Sequence, residues 1–175
     1  MVDSTRARAL GTAVELMHFA YRAMIAGPDA ILARRGLTRV HHRILYFVAR
    51  MPGESVNRLL RTLGVTKQAL NGPLRTLYQQ GLLTFERSSQ DGRVKRLQLT
   101  ATGRRLERRL AALQQAYFAD AFAAAGAQAE GGWRAAMQVL AAAELVKAGR
   151  TLPGIGSARP APRRRAQAAP RVPRR

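Results

Sequence analysis

The chain has 175 residues, 47% of them hydrophobic, which is enough for one folded domain with a core and room for a tail. Thirty Lys and Arg against ten Asp and Glu give a formal charge of +20 and a pI near 11.9, so the expected partner is a polyanion, nucleic acid first and an acidic membrane surface second. The absence of cysteine excludes a disulfide framework and a thiol redox switch, and no run reaches the roughly 18 apolar residues that span a bilayer.

Leu10, Val14, Met17, Tyr21, Met24 and Ile25 recur at helical spacing and predict a first helix over about 4–26, stopped by Gly27-Pro28. Residues 30–35 add a short helix. Thr38 can cap a helix over 39–50 whose Val40, Ile44, Phe47 and Val48 face inward together with Met51, and Pro52-Gly53 breaks it. Ser55 caps a third helix with Val56, Leu59 and Leu60 inward, and Leu63-Gly64-Val65 is a tight turn into the next.

In the stretch 66–81, TKQALNGPLRTLYQQG, Leu70, Leu74, Leu77, Tyr78 and Gly81 share one helical face, which is expected to enter a core. Thr66 can accept from a free amide of the first turn, and Val65 with Leu70 can form a hydrophobic staple. Thr66 itself, Lys67, Gln68, Asn71 and Arg75 are the candidate nucleic-acid contacts. Asn and Gln suit the adenine edge in a major groove, and Arg suits guanine. An ordinary solvated face would also carry Lys and Arg. Pro73 removes the amide that would bond to Ala69, and an interior proline costs a helix about 3 kcal/mol. Two outcomes are open: a continuous helix with a kink, favoured by the Leu contacts that follow, or a helix beginning at Pro73 that takes Lys67 and Gln68 off the surface.

The period then becomes alternating. Leu83 and Phe85 share one strand face, Leu97 and Leu99 another, with Asp91-Gly92 as the turn signal. Arg87, Arg93, Lys95 and Arg96 against Glu86 and Asp91 make this hairpin basic, which suits insertion into a minor groove. A long helix is expected over 103–125 on Leu106, Leu110, Leu113, Tyr117 and Ala121, a turn over 126–132, and a last helix over 133–147 on Met137, Leu140 and Ala141. Residues 151–175 hold seven Arg and no acid, which leaves +13 on residues 1–150; this Pro, Ala and Arg tail is expected to be disordered. It either adds sequence-independent phosphate attraction or is an inert extension.

The order LLRTLGVTKQALNGPLRTLYQQGLL, then D-G-R at Asp91 to Arg93, then LQLTATG at Leu97 to Gly103, resembles the MarR family of bacterial winged helix-turn-helix regulators over about Leu10 to Lys147. The resemblance implies a mainly α fold with a small β-hairpin wing: a MarR-like domain over 1–150, with the winged helix-turn-helix at about 38–100 and terminal dimerisation helices at about 4–26 and 103–148. It implies that Arg93 enters the minor groove, held by Asp91, beside Lys95 and Arg96, and that two protomers interlock through their first and last helices. A homodimer would present two recognition helices to double-stranded DNA at a roughly palindromic operator. The resemblance further implies a small aromatic or phenolic acid as effector, in a cleft between the dimerisation helices and the DNA-binding lobe. Met17, His18, Tyr21, Arg22, His41 and His42 would line it, with Arg22 or a His receiving the carboxylate; the plainer reading is that Met and Tyr are core and the polar groups solvated.

The residues themselves give little sign of other chemistry. His18, His41 and His42 are the only histidines, and the adjacent pair points to different sides of a helix, so neither a metal site nor a cofactor is expected. No nucleophile-elbow, zinc-protease or phosphate-loop motif occurs, so an enzyme is not expected. The preferred function is a cytoplasmic, nucleoid-associated transcriptional regulator, a repressor released by its effector. A structural, DNA-coating protein of the nucleoid type is the alternative that the +20 charge and the Arg tail favour.

Overall fold

The computed structural model describes residues 4–87 and 95–151. The hairpin turn at Asp91-Gly92, the wing residues Asp91 and Arg93, the side chain of Lys95 and the tail from residue 152 lie outside the described residues.

Helix α1 spans Ser4–Ala33 and runs through Gly27-Pro28, absorbing the separate short helix expected after it. Proline forfeits one helical hydrogen bond, but Pro28 is fully buried, as is Leu32 one turn later. That apolar burial offsets the lost bond. Helix α2 spans Arg39–Arg50 behind Thr38, and α3 spans Val56–Leu63, where the Ser55 hydroxyl accepts from the Arg58 amide at 3.2 Å. Gly64 ends α3 at φ 64°, a conformation only glycine adopts cheaply.

Helix α4, Lys67–Gln79, is continuous through Pro73, so the split-helix alternative does not occur. The Thr66 hydroxyl accepts from the Ala69 amide at 3.3 Å and fixes its start. Leu70, Leu74 and Leu77 are buried in the core as expected, whereas Tyr78 is 54% exposed. Eight residues beyond Leu70 lies roughly 80° round the helix, so Tyr78 sits on the flank and rests against Phe85, ring centroids 5.5 Å apart. Gly81 is not on that face either: with φ 63° it turns the chain out of α4.

Strands β1 (Leu83–Arg87) and β2 (Lys95–Leu99) pair antiparallel with Leu83 opposite Leu99 and Phe85 opposite Leu97. The Pro52-Gly53 break has a further role. Gly53 donates to the Leu97 carbonyl and Leu97 to that of Glu54, both at 2.9 Å, so the α2–α3 loop pairs with the hairpin's other edge.

Helix α5, Ala101–Ala125, starts at Thr100, whose hydroxyl accepts from the Gly103 amide at 3.0 Å and donates to the Gly81 carbonyl at 2.6 Å. A Cβ on Gly103 would fall on the Leu82 carbonyl, so strand and helix can approach only at a glycine. Gly126 alone makes the turn into α6, Ala127–Lys147; the expected turn over 126–132 is helical from Ala127. The Phe118, Phe122 and Trp133 rings, with Trp133 5.2 and 5.3 Å from the other two, pin the first turns of α6 to α5. Helix α6 then runs back to the α2–α3 lobe, where the Arg58 guanidinium donates to the Gly149 carbonyl and Arg150 lies 5.2 Å over the Phe47 ring.

One core joins α2, α3, α4, the hairpin and the base of α5 around Ile44, Leu45, Leu59, Leu70 and Leu110. Outside it, Leu10, Val14, Met17 and Tyr21 on α1 and Val139, Leu140 and Val146 on α6 are exposed in the single chain. Among the described residues, no helix is long and apolar enough to cross a membrane.

Candidate nucleic-acid interface

The burial of Leu70, Leu74 and Leu77 decides which way α4 faces. Thr66, Lys67, Gln68, Asn71 and Arg75 are all exposed. Among the described residues, the side chains of Lys67, Gln68, Asn71 and Arg75 make no hydrogen bond or ion pair within the chain. They form a row of donors free to meet an external acceptor. The freed carbonyl at Ala69 lies on the same solvent side, and one turn beyond Pro73 the Thr76 hydroxyl donates to the Gly72 carbonyl at 3.2 Å. Proline in this helix therefore leaves no buried orphan.

The hairpin is held against the same lobe. Arg96 is exposed, but its guanidinium donates to the Gly53 carbonyl at 2.9 Å, so it also ties β2 to the α2–α3 loop. Lys95 pairs through its backbone with Arg87 at the outer end of the hairpin.

A second feature lies away from α4. A cleft of about 1020 Å³ opens between α1, α2, α5 and α6, walled by aromatic side chains including Tyr46, Phe118 and Trp133. Of the residues expected to line a pocket, Tyr21 and His42 are in its wall. Met17, His18 and Arg22 are exposed on α1 outside it. His41 is buried and serves the start of α2, its Nδ1 accepting from the Thr38 amide at 3.0 Å. Burial lowers the pKa of both His41 and His42, and the Nε2 of each is buried without a partner among the described residues.

Sequence reasoning missed the cations of this cleft. Arg39, Arg43 and Arg50 stand at i, i+4 and i+11 on α2 and all reach the wall, a helical period that could have identified them. Arg39 pairs with Asp29 at 2.8 Å, and Arg50 pairs with the buried Glu107 of α5 at 2.7 Å while lying 3.3 Å over the Tyr46 ring. Arg134, from α6, pairs with Glu130. Arg43 differs: its Nη2 donates to a neutral acceptor, the Leu63 carbonyl, at 2.9 Å.

Comparison with known proteins places this arrangement. The family model for the MarR family matches residues 35–94, a span that holds α2, α3, α4 and β1 and ends before β2. The chain is 42% identical over 127 residues to the HTH-type transcriptional regulator PetP of Rhodobacter capsulatus, covering 73% of this chain and 76% of that protein. It is 30% identical to a MarR family protein of Mycobacterium tuberculosis solved in complex with salicylic acid, over 71% of this chain and 93% of that one, at TM-score 0.52. The transcriptional repressor CouR, solved on a 23-mer DNA duplex, shares the fold at 22% identity and TM-score 0.56, over 77% of this chain and 89% of that one.

Proposed function

Because the chain belongs to the MarR family, whose members regulate transcription through a DNA-binding winged helix, we propose that it is a homodimeric repressor released from a roughly palindromic operator by a small aromatic or phenolic acid. The observation that carries the DNA-binding half is α4 itself: Leu70, Leu74 and Leu77 are buried on one side, and Lys67, Gln68, Asn71 and Arg75 stand free on the other. In this reading Asn71 and Gln68 address adenine edges, Arg75 a guanine, and Lys67 a phosphate, while Arg93, Lys95 and Arg96 of the wing approach the minor groove with Asp91 steadying Arg93. The exposed apolar stripe of α1 and the Val139, Leu140 and Val146 face of α6 support dimerisation, since a monomer would leave both in water.

The aromatic cleft with its arginines supports an anionic effector, and the salicylic acid complex of the mycobacterial relative points to the same class. Arg58 and Arg150 hold the end of α6 on the α2–α3 lobe, and the seven arginines that follow Thr151 in the sequence would add phosphate contacts. Such a protein works on the chromosome, in the cytoplasm. A DNA-coating role finds no support in relatives named as regulators.

Competition binding tests the reading. The full chain should prefer one palindrome over random duplex by roughly 10³-fold at physiological salt, and equal affinity for both would refute it.

A further inference from the structure

Four guanidiniums reach the cleft, and their partners set them apart. Arg39, Arg50 and Arg134 each face a carboxylate: Asp29, Glu107 and Glu130. Arg43 has no carboxylate partner among the described residues; it holds the Leu63 carbonyl at 2.9 Å. A charge-assisted bond to an anion is roughly twice as strong as one to a neutral acceptor. An anion entering the cleft therefore meets three cations already neutralised and one whose partner it can outbid.

The partner that would be released is structurally placed. Leu63 is the last residue of α3, Gly64 follows in the left-handed conformation, and the Gly64 and Val65 amides both return to the Leu60 carbonyl. Among the described residues no backbone amide is bonded to the Leu63 carbonyl, one of the orphans every helix leaves at its C-terminus, and the cation of Arg43 satisfies it. Three residues on, Thr66 opens α4. Arg43 thus spans the distance between the cleft and the turn that sets the reading helix, with one end in each.

We propose that Arg43 is the coupling residue: an anionic ligand in the cleft draws its guanidinium from the Leu63 carbonyl, uncaps α3 and loosens the turn that aims α4 at DNA. This rests on the effector reading above and adds its route. The unligated chain is the tight-binding form because the turn is locked. Occupancy lowers operator affinity on the order of tenfold, within the usual range of coupling between two sites.

The test uses the full-length chain, an operator duplex selected by it, and benzoate, salicylate and 4-hydroxybenzoate as probes. Trp133, the only tryptophan, lies in the cleft wall and reports occupancy by its fluorescence. In the unsubstituted protein a probe should change Trp133 emission, lower operator affinity about tenfold, and speed amide exchange in a peptide covering 60–66. Arg43→Met should bind the operator about tenfold more weakly without any probe and respond to probe by less than about twofold. A Trp133 response and operator release that persist unchanged in Arg43→Met overturn the coupling role alone. Exchange over 60–66 that stays constant at saturating probe overturns it as well, without recourse to a variant. If none of the three acids moves Trp133 or operator affinity in the unsubstituted protein, the effector reading fails and the proposal with it.

Discussion

The ion pair between Arg50 and Glu107 joins the DNA-binding lobe to the long α5 helix, and its two ends are not equivalent. The Glu107 side chain is 8% exposed and that of Arg50 31%, at a separation of 2.7 Å. Arg50 keeps other partners if the acid is lost, because its Nη1 also donates to the Tyr46 carbonyl at 3.0 Å and its guanidinium covers the Tyr46 ring. Glu107 has no second partner among the described residues. Arg50→Met therefore strands a buried carboxylate, which costs about 3–5 kcal/mol, whereas Glu107→Gln leaves a half-solvated cation with a carbonyl and a ring and costs about 1–2 kcal/mol. The double variant Arg50→Met/Glu107→Leu should return close to the parent, since a well-packed apolar pair often replaces a buried ion pair without loss. Urea unfolding followed by far-ultraviolet circular dichroism, at neutral pH and fixed protomer concentration, measures all three. Glu107→Gln as damaging as Arg50→Met, or a double variant costing the sum of the singles, would refute the reasoning.

His41 and His42 are buried with lowered pKa, so the folded chain binds their protons less readily than the unfolded one. Stability is then full above the unfolded histidine value of roughly 6.5 and falls as pH drops below it, by up to about 1.4 kcal/mol per pH unit for each group; thermal melts from neutral to mildly acidic buffer check this, and His41→Asn/His42→Asn should flatten the dependence. Gly103→Ala forces a methyl onto the Leu82 carbonyl, whereas Gly131→Ala in α6 meets open space. The first should cost about 1–3 kcal/mol and lower the melting temperature by several degrees, and the second should gain about 0.5–1 kcal/mol. Replacing all seven tail arginines by glutamine should reduce the salt slope of DNA binding by about 0.9 for each arginine that touches phosphate; an unchanged slope would make the tail an inert extension.

The parts of this fold that depend on neighbours in sequence are legible in the sequence itself. Thr66 and the Leu70, Leu74, Leu77 spacing fix the start and facing of α4 through local hydrogen bonding and helical period, and the alternation of Leu83, Phe85, Leu97 and Leu99 fixes which side chains share a face of the hairpin. Errors arose where distant contacts overrule a local signal. Pro28 reads as a stop, yet its burial carries α1 through it, and the glycines after Gly126 read as a turn, yet the Phe118, Phe122 and Trp133 rings hold them in a helix. The cleft was the least legible part, because its wall forms only when α6 folds back along α5, across the cleft from α2. Tyr21 and His42 were found from α1 and α2, while Arg43 and Trp133 reach the same cleft from elements far apart in the chain.

The central claim is that two copies of α4 read successive major grooves. The chain has no cysteine, so Asn71→Cys gives a single attachment point for an iron chelate that cuts nearby DNA. On an operator duplex the account predicts two clusters of cuts, one about each half-site and separated by roughly one helical turn, about 10 base pairs. A single cluster, cuts spread evenly along the duplex, or none while the protein stays bound would contradict it.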